Sequence, residues 1–152
     1  MNNVKFNNYF KSKNLNIRKD LINTYTIYKT NYNKHYLISN GYGIIMTNNI
    51  PANYKENDKL KYNIINYFEN FIDKNKNELV MSIDIDTIKN NLNSKKIYKI
   101  NNEYALDFVQ LKKIIDIIKG NKINILNNFN HYFIEIVGSN FQVGYLLPMR
   151  IY

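Results

Sequence analysis

The chain has 152 residues, with 21 Lys and Arg against 12 Asp and Glu for a net charge of +9, a length that suits one ordinary domain with its own core and leaves little room for two. The absence of cysteine excludes disulfides, thiolate nucleophiles, zinc–cysteine sites and iron–sulfur clusters. No apolar run approaches the roughly 18 residues that would span a bilayer, and Met1-Asn2-Asn3-Val4-Lys5 lacks the apolar stretch of a secretory signal, so a soluble, cytoplasmic protein is expected.

Residues 1–16 mix Val4, Phe6, Tyr9 and Phe10 with polar and basic residues in no clean period, and read as a flexible N-terminal arm ahead of a single domain over residues 17–152. Over residues 17–28, Ile17, Leu21, Ile22, Tyr25 and Tyr28 fall at helical spacing, whereas Thr24, Thr26, Ile27 and Thr30 favour strand; the spacing predicts a short helix. Two strands over residues 34–39 and 42–47 meet at Asn40-Gly41, a pair suited to the positive φ angles of a type I′ hairpin turn. Pro51 closes this segment, and a polar loop follows.

Over residues 61–76, Ile64, Ile65, Phe68, Phe71 and Ile72 share one helical face. Leu79, Met81, Ile83 and Ile85 alternate with Ser82 and Asp84 as a strand does, and Asp84 or Asp86 then caps a short helix through Leu92 with Ile85, Ile88 and Leu92 inward. Residues 96–104 return to strand-like alternation. The best-defined helix follows Asp107, an N-cap candidate, and buries Phe108, Leu111, Ile114, Ile115 and Ile118, with Gly120 as its left-handed terminator. Strands over residues 122–126, 132–137 and 142–147 complete an α+β pattern of antiparallel sheets with two or three amphipathic helices.

Motifs for chemistry are missing: there is no P-loop, GxGxxG, HExxH or GxSxG. His35 and His131 stand alone in strand and turn contexts, Ser39, Ser82 and Ser139 have no His at motif spacing, and Asp84 and Asp86 suit a helix cap better than a metal pair. No enzyme, cofactor or metal site is expected. Asn, Ile, Lys and Tyr dominate the composition while arginine occurs only at Arg18 and Arg150; AT-rich codons supply such residues, so a solvated lysine surface and a phosphate-facing patch are both open. Tyrosines interleaved with lysines at residues 25–29 and 32–36 are open likewise to stacking on single-stranded nucleic acid or to packing in a core.

Leu106-Asp107-Phe108 through Ile118-Lys119-Gly120, the strand from Asn121 to Leu126, and the ending Gly144-Tyr145-Leu146-Leu147-Pro148-Met149-Arg150-Ile151 resemble the last part of the bacterial DNA sliding clamp, the β subunit of the replicative polymerase. In that family an Asn caps a helix of the form YLLDVLKAL and the chain ends YLLMPMRL; Asp107 stands at the cap here, Leu147 replaces the first Met, and Tyr152 is additional. Residues 36–45 are similar to the family's ATDGHRLA strand–turn–strand, with Asn40 for Asp and Gly43 for Arg. The stronger resemblance covers residues 106–151.

The resemblance implies a non-enzymatic clamp-like domain that encircles duplex DNA without sequence preference, with helices lining the hole and sheets forming the outer wall. It implies Lys112, Lys113, Lys119 and Lys122 as DNA-facing residues, since lysine is a hydrated point charge that does not read bases bidentately. It also implies Leu147, Pro148, Met149 and Arg150 as part of a hydrophobic groove that docks replication proteins. A family clamp chain has three domains and a ring has six, so a single-domain chain of this kind, such as a phage or mobile element might encode, is expected to form a homo-oligomeric ring. Two alternatives stay open: a clamp-fold module that binds a host protein, and a single-stranded nucleic-acid binder.

Overall fold

The computed structural model describes residues 3–11, 19–29, 31–62, 66, 77–94, 96–128, 131–140 and 142–151. The helix expected over residues 61–76 lies almost wholly outside them, including Ile64, Ile65, Phe68, Phe71 and Ile72, as do Ile17, most of residues 11–16 and Tyr152.

Eight strands form one sheet in the order β4-β1-β2-β3-β10-β9-β8-β5. These are β1 (Thr24–Lys29), β2 (Lys34–Ser39), β3 (Gly43–Thr47), β4 (Lys55–Glu56), β5 (Glu78–Asp84), β8 (Lys122–Asn128), β9 (His131–Val137) and β10 (Val143–Leu146). All pairs are antiparallel except β1 with β4. A second, three-stranded sheet runs β11-β7-β6, from β6 (Ile97–Lys99), β7 (Tyr104–Asp107) and β11 (Met149–Arg150). The helices are α1 (Asn3–Phe10), the single turn α2 (Asp58–Leu60), α3 (Ile85–Ser94) and α4 (Phe108–Ile118). The α+β class with antiparallel sheets is therefore observed, and no helix among the described residues is long and apolar enough to cross a membrane.

The large sheet has an internal two-fold order. One meander, β1-β2-β3, follows α1; the other, β8-β9-β10, follows α4; and their last strands pair antiparallel at the centre, Gly43 with Leu146 and Ile45 with Gly144. Alternation along these strands sends Ile38, Ile45, Ile123, Ile125, Ile134, Ile136 and Leu146 into a core shared with α1, α3 and α4. A smaller cluster of Leu21, Tyr28, Leu37, Ile44, Leu60, Phe133 and Tyr145 lies on the other face.

Three local expectations give way to tertiary packing. Residues 3–10 are no arm: Phe6, Tyr9 and Phe10 are buried at the i, i+3, i+4 spacing of one helical face, and Phe6 meets Tyr54 edge to face at 6.1 Å. Residues 24–29 are strand rather than helix, because Thr26 and Tyr28 are buried and pair with Leu37 and His35 on β2, a pleated environment that suits β-branched and aromatic side chains. On β5 only Ile83 is buried; a bulge between Leu79 and Met81 interrupts the register at the sheet edge and leaves both exposed.

The end of α4 also differs in detail. Lys119, not Gly120, takes the left-handed conformation (φ 52°), and the Gly120 amide closes onto the Ile115 carbonyl at 3.0 Å, as in a Schellman ending. Gly120 serves close packing instead, since a Cβ there would sit 2.9 Å from Cγ2 of Ile136. The same constraint is tighter at the centre of the sheet, where a Cβ on Gly144 would run into Cγ2 of Ile114, so α4 rests directly on the β10 backbone. Gly144→Ala is expected to cost about 1–3 kcal/mol by overpacking in urea unfolding, and the pair Gly144→Ala/Ile114→Ala to cost less than the sum of the two single losses. Additive losses would show that the helix does not depend on this contact.

Candidate nucleic-acid interface on the helical face

The turn between β2 and β3 positions the helix pair. Ser39 and Ile44 are the last paired residues, and within the loop only Gly41 has positive φ (92°), so this is a longer loop than the type I′ turn expected from Asn40-Gly41. The reason is the Asn40 side chain, which is fully buried. Its Oδ1 accepts from the Tyr42 amide at 2.9 Å and the Gly43 amide at 3.1 Å, closing the loop as an Asx turn does. Its Nδ2 donates to the Tyr9 carbonyl at 2.9 Å and to Gln110 Oε1 at 3.1 Å. One amide thus joins the hairpin to the end of α1 and the first turn of α4.

At the start of α4, Asp107 caps the helix as expected, accepting from the Val109 amide at 2.9 Å and the Gln110 amide at 3.3 Å. Lysines then tie the two helices at their ends. The Lys113 ammonium donates to the Lys11 carbonyl just beyond α1, and Lys5 Nζ donates to the Asp116 carbonyl in the last turn of α4 at 2.9 Å. Each helix places a cation on carbonyls at the other's C-terminal end, where the dipole is negative, and the reciprocal pairing (5 with 116, 11 with 113) sets the helices antiparallel. Burial pulls the Lys113 ammonium below the usual lysine value, and the Asp107 carboxylate opposes that fall. Lys112 Nζ reaches Asn93 Oδ1 on α3 at 2.7 Å.

These helices enclose two adjoining grooves of about 410 and 350 Å³, which share Lys5, Leu92, Lys112 and Asp116. Lys5, Lys11, Lys89, Lys112, Lys113 and Lys119 line them, against the carboxylates of Asp86 and Asp116. Three of the four lysines expected to face DNA, Lys112, Lys113 and Lys119, are therefore together. Lys5 and Lys11 were missed because their partners on the face lie more than a hundred residues away in sequence, and Lys89 because it stands on a different helix from Lys112 and Lys119; the Phe6, Tyr9 and Phe10 spacing was the signal available for α1.

Lys122 is elsewhere. It precedes Ile123, whose side chain faces the helices, so by strand alternation Lys122 lies on the opposite face, level with Asp84. That face also carries the bonds Ser82 Oγ to Asn124 Oδ1 at 2.9 Å and Asn124 Nδ2 to Glu135 Oε1 at 3.0 Å. Of the tail, Leu147, Met149 and Arg150 are exposed and Pro148 is half-buried. Met149 and Arg150 form β11 opposite Ala105 and Tyr104, completing an edge of the small sheet, and none of the four tail residues lines either groove.

Other candidates find ordinary places. Tyr28 is buried, Tyr25 and Tyr36 meet edge to face at 5.5 Å, and Tyr32 is exposed. His35 Nδ1 lies 3.1 Å from Asn48 Oδ1. Among the described residues, no group of three or more His, Asp or Glu converges as metal ligands would. No protein-family model matches the chain, and no curated protein or solved structure shows significant similarity to it.

Beneath the grooves, the Tyr9 hydroxyl and Gln110 Nε2 are buried without hydrogen-bond partners. Burial raises the Tyr9 hydroxyl far above the ordinary tyrosine value, opposed in part by the neighbouring Asn40 backbone, and pushes Tyr54 up to about 12. The unfolded chain ionises first, near pH 10, and then binds fewer protons than the folded one, so stability is full below that pH and falls as pH rises above it. Tyr9→Phe is expected to leave stability at pH 7 unchanged or raise it by up to about 1 kcal/mol and to flatten this alkaline decline. Asn40→Ala, which orphans four partners, is expected to cost at least about 2 kcal/mol. Denaturant melts at pH 7 and pH 10.5 check both, and an Asn40→Ala protein as stable as the parent would exclude the amide as the anchor.

Proposed function

We propose that the chain is a non-enzymatic, sliding-clamp-like protein whose α1–α3–α4 face lies against the phosphates of duplex DNA. The observation that carries this is the gathering of six lysines from three helices and the residues that end them, against two carboxylates, on one side of a sheet. Carbonyl hydrogen bonds to Lys5 and Lys113 orient the ammonium groups without neutralising them, so the face keeps a surplus of positive charge. Phosphates are met by point charges on flexible stems, which suits binding that holds register on no sequence.

Two antiparallel helices on one face of a two-fold-ordered sheet also agree with the resemblance of residues 106–151 to sliding clamps, in which helices face DNA and sheets face outward. The exposed Leu147, Met149 and Arg150 are, on this reading, available to dock a protein partner beside the small sheet.

Fluorescence anisotropy with a random-sequence duplex tests the proposal. If four to six of the lysines meet phosphates, affinity should fall by about 10²–10³-fold between 50 and 200 mM salt. The double variant Lys89→Gln/Lys119→Asn should reduce the slope of log affinity against log salt by about 2, whereas Lys122→Gln, on the far face, should leave it unchanged. Equal effects from Lys122→Gln, or no salt-sensitive binding, would overturn the assignment. Light scattering on the same samples reads encirclement, for which a ring of about six copies is expected.

A further inference from the structure

The groove between α1 and α4 holds more than charge. Its floor is apolar, made by Phe108, Leu92 and Val109, and Val109 is 50% exposed although it stands in the first turn of a core helix. Its rim is cationic, with Lys5, Lys11, Lys112 and Lys113 against Asp116 alone. A duplex presents phosphates along a rigid ridge and has nothing apolar to place on such a floor. A volume of about 410 Å³ falls within the range of sites that enclose small ligands or a few side chains.

We propose that this groove seats an acidic peptide segment of a partner protein, with one or two large apolar side chains on Val109 and Leu92 and flanking carboxylates on the four lysines. Charge complementarity selects the occupant: four cations, opposed by Asp116 alone, surround an apolar floor, and the same lysine-rimmed groove of a second copy does not complement it. Lysine point charges accept carboxylates in many geometries, so the peptide is defined by acidity and an apolar anchor rather than by a strict motif. It shares Lys5, Lys11, Lys112 and Lys113 with the DNA face, so peptide and duplex exclude each other. Peptide binding does not depend on DNA binding being correct.

The test uses the full chain and two fluorescein-labelled peptides of equal charge, DDELFEDD and DDESSEDD, beside a 20-base-pair duplex. The Leu-Phe peptide is expected to bind about tenfold more tightly than the Ser-Ser peptide, and to displace the duplex. Val109→Ser, a neutral change at an exposed position, should bring the two peptides to within about twofold of each other while leaving duplex affinity unchanged. Lys112→Gln should weaken both ligands. Equal binding of the two peptides by the parent chain, or a Leu-Phe preference that survives Val109→Ser, overturns the proposal. Duplex binding with no peptide binding overturns it and leaves the DNA assignment standing, whereas tight Leu-Phe peptide binding with no duplex binding upholds it and removes the DNA assignment.

Discussion

A single buried amide carries the arrangement of the helical face. The Asn40 oxygen accepts from two turn amides of the β2–β3 loop and its nitrogen donates to the Tyr9 carbonyl and the Gln110 side chain, so hairpin, α1 and α4 meet at one planar group. Water cannot substitute at a position of 0% exposure, and each partner left unpaired there would carry the cost of a buried polar group. The two central glycines are the steric complement. Gly43 would place a Cβ 3.1 Å from Ile114 Cδ1 and 3.3 Å from the Tyr9 hydroxyl, and Gly144 lies closer still to Ile114, so both helices settle onto backbone where the two meanders join.

From that seating the surface chemistry follows. With Phe6, Tyr9, Phe10, Leu111, Ile114 and Ile118 turned inward, the remaining helix positions carry Lys5, Lys112, Lys113 and Asp116 outward, and antiparallel packing brings lysines from opposite ends of the chain within one groove. The Lys5 and Lys113 contacts with carbonyls of the opposite helix hold those charges in place. The same groove keeps an apolar floor, and the two proposed modes of recognition divide along that line: charge alone for a phosphate backbone, and charge with an apolar anchor for a peptide.

Much of the fold was legible where a local period met a clear boundary. Helix α4, with its Asp107 cap and its Phe108, Leu111, Ile114, Ile115 and Ile118 stripe, stands one residue from its expected extent, the strand at 34–39 was marked by the Asn40-Gly41 turn after it, and the strand expected over 132–137 begins one residue earlier, at His131. The misses have one cause, contacts distant in sequence. The aromatic stripe of α1 gains meaning only against Tyr54 and α4, the threonines of β1 only against β2, and Gly120 looks like a terminator until Ile136 is seen against it. The site was half legible for the same reason: Lys112, Lys113 and Lys119 share one helix, while Lys5, Lys11 and Lys89 join them only through packing, and Lys122 leaves them because a strand reverses its face at every residue.

The central proposal is that the face built by α1, α3 and α4 is where the chain meets duplex DNA. Amide-resolved NMR of the full chain, titrated with a 20-base-pair duplex at low salt, tests it most directly. Shift changes concentrated in residues 5–11, 86–93 and 109–120, with the amides of Lys122, Leu147, Met149 and Arg150 unmoved, are the result this account requires. Changes centred on the opposite face of the sheet around Lys122 and Asn124, or no change at all, would contradict it.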